Sequence, residues 1–334
     1  MNSDLISILL PICNAEKYLP ACLTSILEQS EENWELLAVD DCSSDATWRI
    51  LEQYRASDKR IRIFKNKEKG IVPALRLAFK ESKGKYLTRM DADDLMAKNK
   101  LAYLKEPLVQ KGIGHLTTAC VKYFSEQALG QGYQKYADWL NDLCLKKEHY
   151  KAIYKECVIP SPCWMLDRAD LVRCGAFESN RYPEDYDLCF RFYERKLRVV
   201  GVPAILHFWR DHPERTSRTS EVYADNRFLD LKLDYFLKLD YKAGQDLVLW
   251  GAGKKGKKIA QYLVDQQIRF RWVCDRESKW GHQIYQTLLE DYQILSQLDT
   301  PQVIIAVANQ EAQRSIRSFL KINKLPKDNA FFFC

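Results

Sequence analysis

No apolar run in the 334 residues approaches the roughly 18 needed to cross a bilayer, which predicts a chain without a membrane-spanning helix. The N-terminus lacks a basic stretch. Met1-Asn2-Ser3-Asp4 runs directly into the apolar residues 5–10, a segment too short and wrongly flanked for a secretory leader, and one that predicts a first buried strand. The expectation is a protein kept in the cytosol. Eleven cysteines occur, yet no CxxC pair, which excludes a zinc ribbon or a disulfide framework and predicts reduced, mostly buried thiols. Charge of one sign is scarce too: 51 Lys and Arg oppose 45 Asp and Glu. From residue 245 onward there are 13 Lys and Arg against 9 Asp and Glu, so the first 244 residues are close to balanced. That balance argues against a nucleic-acid groove and leaves room for small anions as ligands. Internal repeats and low-complexity tracts are absent.

Short apolar runs alternate with amphipathic stretches. Strands are predicted over residues 6–11, 34–39, 61–65 and 86–90, and helices over 16–28, 47–56 and 71–81. Leu19, Cys22, Leu23 and Ile26 share one face of the first helix. Strand-helix alternation predicts an α/β fold, a doubly wound sheet with both faces covered. Ligands on such sheets sit at the carboxyl ends of the strands. The region 115–215 is less regular. A helix over 221–240 with acidic-leaning charge reads as a connector, and the strand-helix pattern restarts at residue 246. The expected organisation is a catalytic domain over 1–218, a connecting helix over 219–244 and a smaller α/β domain over 245–334.

Three acidic groups carry the chemistry. Val39-Asp40-Asp41-Cys42-Ser43-Ser44-Asp45 closes the second strand, where a carboxylate can accept the N3–H of a uracil or a ribose hydroxyl. The competing role is helix capping, for which Ser43, Ser44 and Asp45 are well suited. Met90-Asp91-Ala92-Asp93-Asp94 closes the fourth strand. Three carboxylates so close repel unless a cation shares them, and oxygen ligands of this kind suit Mg²⁺ or Mn²⁺ bound with substrate phosphates. A solvated turn is the alternative. Pro183-Glu184-Asp185-Tyr186-Asp187-Leu188 leads into a helix. Its acidic residues either complement the helix dipole or offer a base for a sugar hydroxyl.

Together these segments resemble the inverting family 2 glycosyltransferases of the GT-A fold. The resemblance rests on "SILLPICNAEKYLPACLTSIL", "LLAVDDCSSDAT", "GIVPALRLAFKESKGKYLTRMDADD" and "YPEDYDLCFRFY", in the family's order, and covers about residues 5–218. "VGVPAILHFWRDHPERTSR" resembles the family's closing segment. The resemblance implies a mixed GT-A-type sheet and a nucleoside-diphosphate sugar donor, with UDP as the expected nucleotide. Pro11 and Asp41 would line the base pocket with Asp40 close by. Asp91 would reach the ribose and share the Mn²⁺ or Mg²⁺ with Asp93, and His212 would approach the metal or the diphosphate. Asp185 would be the general base, with Glu184 as its neighbour and fallback. The acceptor would be a saccharide or a lipid-linked saccharide met at the cytosolic membrane face, in cell-surface polysaccharide assembly. Two positions depart from the family. Cys13 stands where an aromatic often stacks on the base, and Arg76 replaces a frequent Asn; Arg76 either contacts donor phosphate or lies on a solvated helix face.

Beyond residue 245, a strand over 246–250 meets Gly251-Ala252-Gly253-Lys254-Lys255-Gly256, then a helix over 259–265 and a strand over 270–274. Asp275 follows Gly256 by 19 positions. That context fits a Rossmann-like dinucleotide fingerprint, with Gly251, Gly253, Gly256 and Asp275 as nucleotide contacts. A further strand is predicted over 303–307. So short a segment is expected to hold one mononucleotide-binding half, binding a nucleotide without chemistry. Alternatively its glycines serve only a tight turn and the domain makes a homo-oligomer contact. Two other functions compete: a nucleotidyltransferase, which would carry a Gly-rich loop where Pro11-Ile12-Cys13-Asn14-Ala15 has no Gly, and a non-catalytic nucleotide-binding scaffold.

Overall fold

A computed structural model describes residues 4–126, 131–215 and 228–334. The chain forms two compact units. One comprises Met1–Lys151 with Cys157–Ser220, the other Ala152–Glu156 with Glu221–Cys334.

In the first unit, strands β1 (Ile6–Ile12) and β2 (Trp34–Asp40) are buried along their whole length. Their continuous apolar runs reflect a sheet covered on both faces. Helix α1 (Leu19–Leu27) buries Leu19, Cys22, Leu23 and Ile26, the face read from the sequence. It begins three residues later than expected, for two local reasons. Pro20 favours the first helical turn, and the amides of Ala15 and Glu16 are taken by Thr47 Oγ1 (2.8 Å) and Asp45 Oδ2 (3.0 Å) of the loop after β2. There follow α2 (Thr47–Ser57), β3 (Ile61–Lys65), α3 (Ile71–Glu81) and β4 (Tyr86–Arg89). Strands β1 to β4 run parallel in the order β3-β2-β1-β4.

The stretch after residue 95, which carries little periodicity, completes the sheet. It supplies β5 (Leu95–Met96), α4 (Lys100–Lys111), β6 (His115–Phe124), α5 (Gln131–Lys146), β7 (Trp164–Asp167), α6 (Arg168–Arg173), α7 (Glu184–Glu194) and β8 (Arg198–Arg210). The eight-stranded order is β3-β2-β1-β4-β7-β6-β8-β5. β7 is antiparallel to both β4 and β6, so the sheet is mixed, as GT-A folds require and as simple strand-helix alternation does not reveal. β8 escapes a pattern-based reading because the register slips where Ala119 pairs with Val202 but Cys120 pairs with Ile205. The bulge absorbs Pro203, whose nitrogen cannot join a ladder. β5 follows the acidic turn and pairs Met96 with His207 and Leu95 with Phe208, which brings the end of β8 beside residues 91–94.

The second unit holds α8 (Leu229–Leu239), β9 (Leu247–Trp250), α9 (Lys254–Asp265), β10 (Arg271–Cys274), β11 (Gln283–Ile284), β12 (Thr287–Asp291), β13 (Gln302–Ile305), α10 (Gln310–Ile322) and β14 (Ala330–Phe332). Its sheet runs β11-β12-β10-β9-β13-β14, five strands parallel and β11 antiparallel at the edge. A single mononucleotide-binding half underestimates this sheet. Short 3₁₀ turns over Glu277–Lys279 and Tyr292–Gln297 replace full helices, so five parallel strands fit the short segment. Of the helix expected over 221–240, residues 221–227 lie outside the described residues. Its remainder, α8, packs Phe236 against Phe331 and Phe333, with centroids 4.9 and 6.0 Å apart.

Candidate active site

The acidic turn sits at the carboxyl end of β4, and each of its carboxylates meets a different partner. Asp91 Oδ1 is 3.0 Å from Arg89 Nε. Asp93 Oδ2 is 3.0 Å from His212 Nε2. Asp94, fully buried, accepts the amide of Arg210 (2.8 Å) and lies 2.9 Å from His207 Nε2. Each of the three carboxylates thus has its own protein partner, so the turn does not need one cation shared by all three to hold them together. Among the described residues no set of three or more His, Cys, Asp or Glu side chains gathers as a metal centre. Asp93 and His212 come together, whereas Asp91 turns an oxygen to Arg89.

Asp94 ends a buried chain that the sequence reading missed. Lys100 Nζ donates to the carbonyl of Pro162 (2.6 Å) and to His207 Nδ1 (3.0 Å). Burial and the adjacent Lys100 push the His207 pKa well down, so the imidazole is neutral. With Nδ1 accepting from lysine, Nε2 carries the proton and donates to Asp94. Burial first, then the Asp93 charge, pushes the Asp94 carboxyl well above its usual range. The signal was available: a Lys and a His falling on otherwise apolar faces.

Asp93 differs. Burial raises its carboxyl, but the hydrogen bond to His212 and the Arg215 charge outweigh that and hold it below the usual range. It is an ionised oxygen donor with an imidazole nitrogen 3.0 Å away. That is about the separation of adjacent ligands with ~2.1 Å bonds to an octahedral Mg²⁺ or Mn²⁺, ions that leave most positions to water and phosphate. The donor set fits such an ion. His212 is further placed by Tyr18, whose ring centroid lies 4.7 Å away.

At the ends of β1 and β2, Pro11 pairs with Val39 and Ile12 with Asp40, side by side beneath the expected base pocket. Asp40 Oδ1 accepts the amide of Ser43 at 3.3 Å. Asp41 is nearly buried. Its oxygens accept the Gly70 amide (2.8 and 2.9 Å) and Asn66 Nδ2 (2.7 Å). An ionised carboxylate offers about four acceptor directions, so one remains for a ligand donor. The capping reading of this segment is corrected: the cap position of α2 is Ala46, without a side-chain cap bond, and Asp45 and Thr47 instead accept amides of the loop after β1.

Glu184 and Asp185 open α7. Arg89 reaches across from β4, placing Nη1 2.8 Å from Glu184 Oε1 while Nε holds Asp91. One buried guanidinium thus ties the two acidic clusters together. Burial, then the Glu184 charge, pushes the Asp185 carboxyl up to about 7, with Arg89 opposing. Asp187 is occupied structurally, with Oδ2 2.9 Å from Arg191 Nε. A cavity of about 10 Å³ is lined by Arg89, Ser161, Trp164, Glu184 and Asp185 among others. Two of its lining groups, Ser161 Oγ and Glu184 Oε2, have no hydrogen-bond partner among the described residues.

Arg76 is corrected in one expected role, the solvated helix face, because its guanidinium is engaged within the fold. Its Nε donates to the Phe177 carbonyl and its Nη2 to the Glu178 carbonyl and Asn180 Oδ1, each at 2.6 Å. In the second unit, two glycines of the fingerprint stand where helix and strand meet closely. A Cβ on Gly256 would lie 1.9 Å from the Gly251 carbonyl, and Gly251 has φ 120°, so helix and strand approach through glycine alone. No described residue lies within 4 Å of a Cβ placed on Gly253. The Gly251 carbonyl accepts Trp272 Nε1 (2.9 Å), and Asp275 Oδ1 accepts Trp250 Nε1 (2.6 Å).

A mixed α/β sheet with carboxylates gathered at the carboxyl ends of its strands defines a class of enzymes that handle nucleotide-linked groups. The profile of one such family, Glycosyl transferase family 2, matches residues 7–175. The chain belongs to that family and is a sugar transferase, which sets aside the nucleotidyltransferase and the non-catalytic scaffold. It is 41% identical over 103 residues to the Escherichia coli UDP-Glc:alpha-D-GlcNAc-diphosphoundecaprenol beta-1,3-glucosyltransferase WfgD, covering 30% of this chain and 40% of that one. Among solved structures it is similar to residues 1–349 of Staphylococcus aureus TarS in complex with UDP-GlcNAc. That match has TM-score 0.53 and 18% identity over 72% of this chain and 68% of that one. It is also similar to the Pyrobaculum calidifontis mannosyltransferase PcManGT in complex with GDP-Man and Mn²⁺, with TM-score 0.51 and 17% identity over 70% of each chain. At those identities the structural likeness shows the GT-A-type fold alone.

Proposed function

We propose that the chain is a metal-dependent, inverting glycosyltransferase that moves a sugar from a UDP-sugar to a hydroxyl acceptor in cell-surface polysaccharide or glycoconjugate assembly. The observation that carries this reading is Arg89, which holds the turn bearing Asp93 and the helix start bearing Asp185 in one site. Pro11, Asp40 and Asp41 line the base pocket, Asp91 faces the ribose, and Asp93 with His212 would hold Mn²⁺ or Mg²⁺. Such an ion offsets charge on a leaving diphosphate, worth several kcal/mol in comparable sites. Asp185 removes the acceptor hydroxyl proton. The oxygen forms a bond to the anomeric carbon as the carbon–oxygen bond to the diphosphate breaks, and no covalent enzyme intermediate intervenes. A base with a pKa near the working pH suits this step.

WfgD, 41% identical over the stretch it shares, carries UDP-Glc in its name, which supports UDP, and the same name specifies a diphosphoundecaprenol-linked sugar. No helix among the described residues is long and apolar enough to cross a membrane, so a lipid-linked acceptor would be met at the membrane face. The test is release of nucleoside diphosphate from a panel of UDP- and GDP-sugars with Mn²⁺, Mg²⁺ or chelator. A UDP-sugar turned over only with metal supports the reading, and turnover unaffected by chelator overturns it.

For the second unit we propose a Rossmann-like fold whose fingerprint is structural. Its parallel strands follow the order third-second-first-fourth-fifth expected of that fold. Gly251 and Gly256 serve helix–strand approach, and Asp275 is engaged by Trp250. Titration calorimetry of the full chain with NAD and NADP tests this: heat from either would restore the nucleotide-binding role.

A further inference from the structure

Arg76 stands in α3, a helix that begins where the Gly70 amide donates to both oxygens of Asp41. Six residues along a helix is about 9 Å of rigid rise. At that distance the guanidinium holds two carbonyls and a side-chain amide oxygen of residues 177–180, and the ring of Phe79, on the same helix, meets Phe177 with centroids 6.2 Å apart. From the other side Arg191 of α7 donates to the carbonyl of Ala176 at 2.7 Å. The segment between α6 and α7 is therefore clamped by one arginine from the helix that starts at the base pocket and one from the helix that carries Asp185. Carbonyls of a surface loop are normally left to water. Hydrogen bonds from a charged group are worth about 1.5–3 kcal/mol each, enough to select one loop conformation.

We propose that Arg76 is a positioning residue for the acceptor side of the transferase site. It fixes residues 177–182 and so sets how an acceptor saccharide hydroxyl approaches Asp185, without touching the donor. This rests on the glycosyltransferase reading above, with Asp185 as base.

The experiment compares the full-length wild type with R76A and R76K. Hydrogen–deuterium exchange reads the loop without any substrate: R76A is expected to speed exchange over 177–182 while β1, β2 and α3 keep their protection. UDP titrated with Mn²⁺ is expected to bind R76A as it binds wild type. With the donor found by the sugar panel, kcat or acceptor KM is expected to worsen by roughly 10²-fold, the size of effect that a misplacement of about 1 Å produces. Donor KM stays unchanged. Millimolar guanidinium is expected to restore R76A, and R76K, which keeps the charge but not the fork, to recover only part of the loss. UDP affinity falling in R76A with unchanged loop exchange would overturn the proposal in favour of a phosphate contact. Should wild type bind no nucleotide at all, the donor reading fails, while unchanged loop exchange in R76A would by itself overturn the clamp.

Discussion

The guanidinium of Arg89 lies 2.8 Å from the carboxylate of Glu184, a residue 95 positions further along the chain. The same arginine holds Asp91, so the two acidic clusters share one buried cation. Without it, Glu184 and Asp185 would face Asp91 as uncompensated like charges, and Asp185 could not be kept near 7.

That arrangement has a pH consequence. Asp185 acts as a base only when ionised, and burial with the Glu184 charge raises its pKa to about 7, against Arg89. Turnover is expected to rise with pH through a midpoint near that value, since the ionised fraction grows as pH passes the pKa. E184Q removes a neighbouring negative charge, favours ionised Asp185 and moves the midpoint to lower pH. D185N is expected to lose the roughly 10²–10⁴ of a missing general base while nucleotide affinity holds. A pH–rate profile of the three proteins checks this, and a collapse of nucleotide affinity in D185N would give Asp185 a different role.

D93N should abolish Mn²⁺-dependent nucleotide binding with little loss of fold, because a partly exposed turn side chain is exchanged for its amide. An amide brings no charge to hold the cation against its hydration. Calorimetry of UDP with and without Mn²⁺, beside a circular dichroism melt, makes the comparison. Equal metal-dependent heats in both proteins would remove Asp93 from the metal site.

The chain Lys100–His207–Asp94 is wholly buried and predicts a large stability effect. K100M leaves the Pro162 carbonyl and His207 Nδ1 without their donor. Leaving a buried acceptor without its donor costs about 1–3 kcal/mol. Urea denaturation monitored on the first unit is the measurement, and a loss under about 1 kcal/mol would mean that Lys100 contributes little beyond its alkyl stem.

Gly256 offers a test in which two principles give opposite signs. Replacing a helical glycine with alanine ordinarily gains about 1 kcal/mol. Here the new Cβ would meet the Gly251 carbonyl at 1.9 Å, so G256A is expected to destabilise the second unit by about 1–3 kcal/mol. A raised Tm in G256A would show that α9 can shift away from β9 without cost.

The sequence alone determined the elements whose signal is local. The apolar runs of β1 and β2, the alternating residues of β3, the buried face of α1 and the span of α3 follow from residue periodicity within a few turns. It also marked Asp91, Asp93 and Asp185, because carboxylates at strand ends and helix starts stand out against the apolar segments that lead to them. The roles of Arg76, Arg89, Lys100 and His207 were decided only by the tertiary structure, since each acts on a partner 62 to 113 positions away. β8 lay hidden for the same reason: its ladder to β6 exists only once a bulge has absorbed Pro203. A buried charge looks in sequence like any other charge, and its function is set by the partner that folding brings to it, because inside a protein an ionised group must find compensation that water no longer supplies.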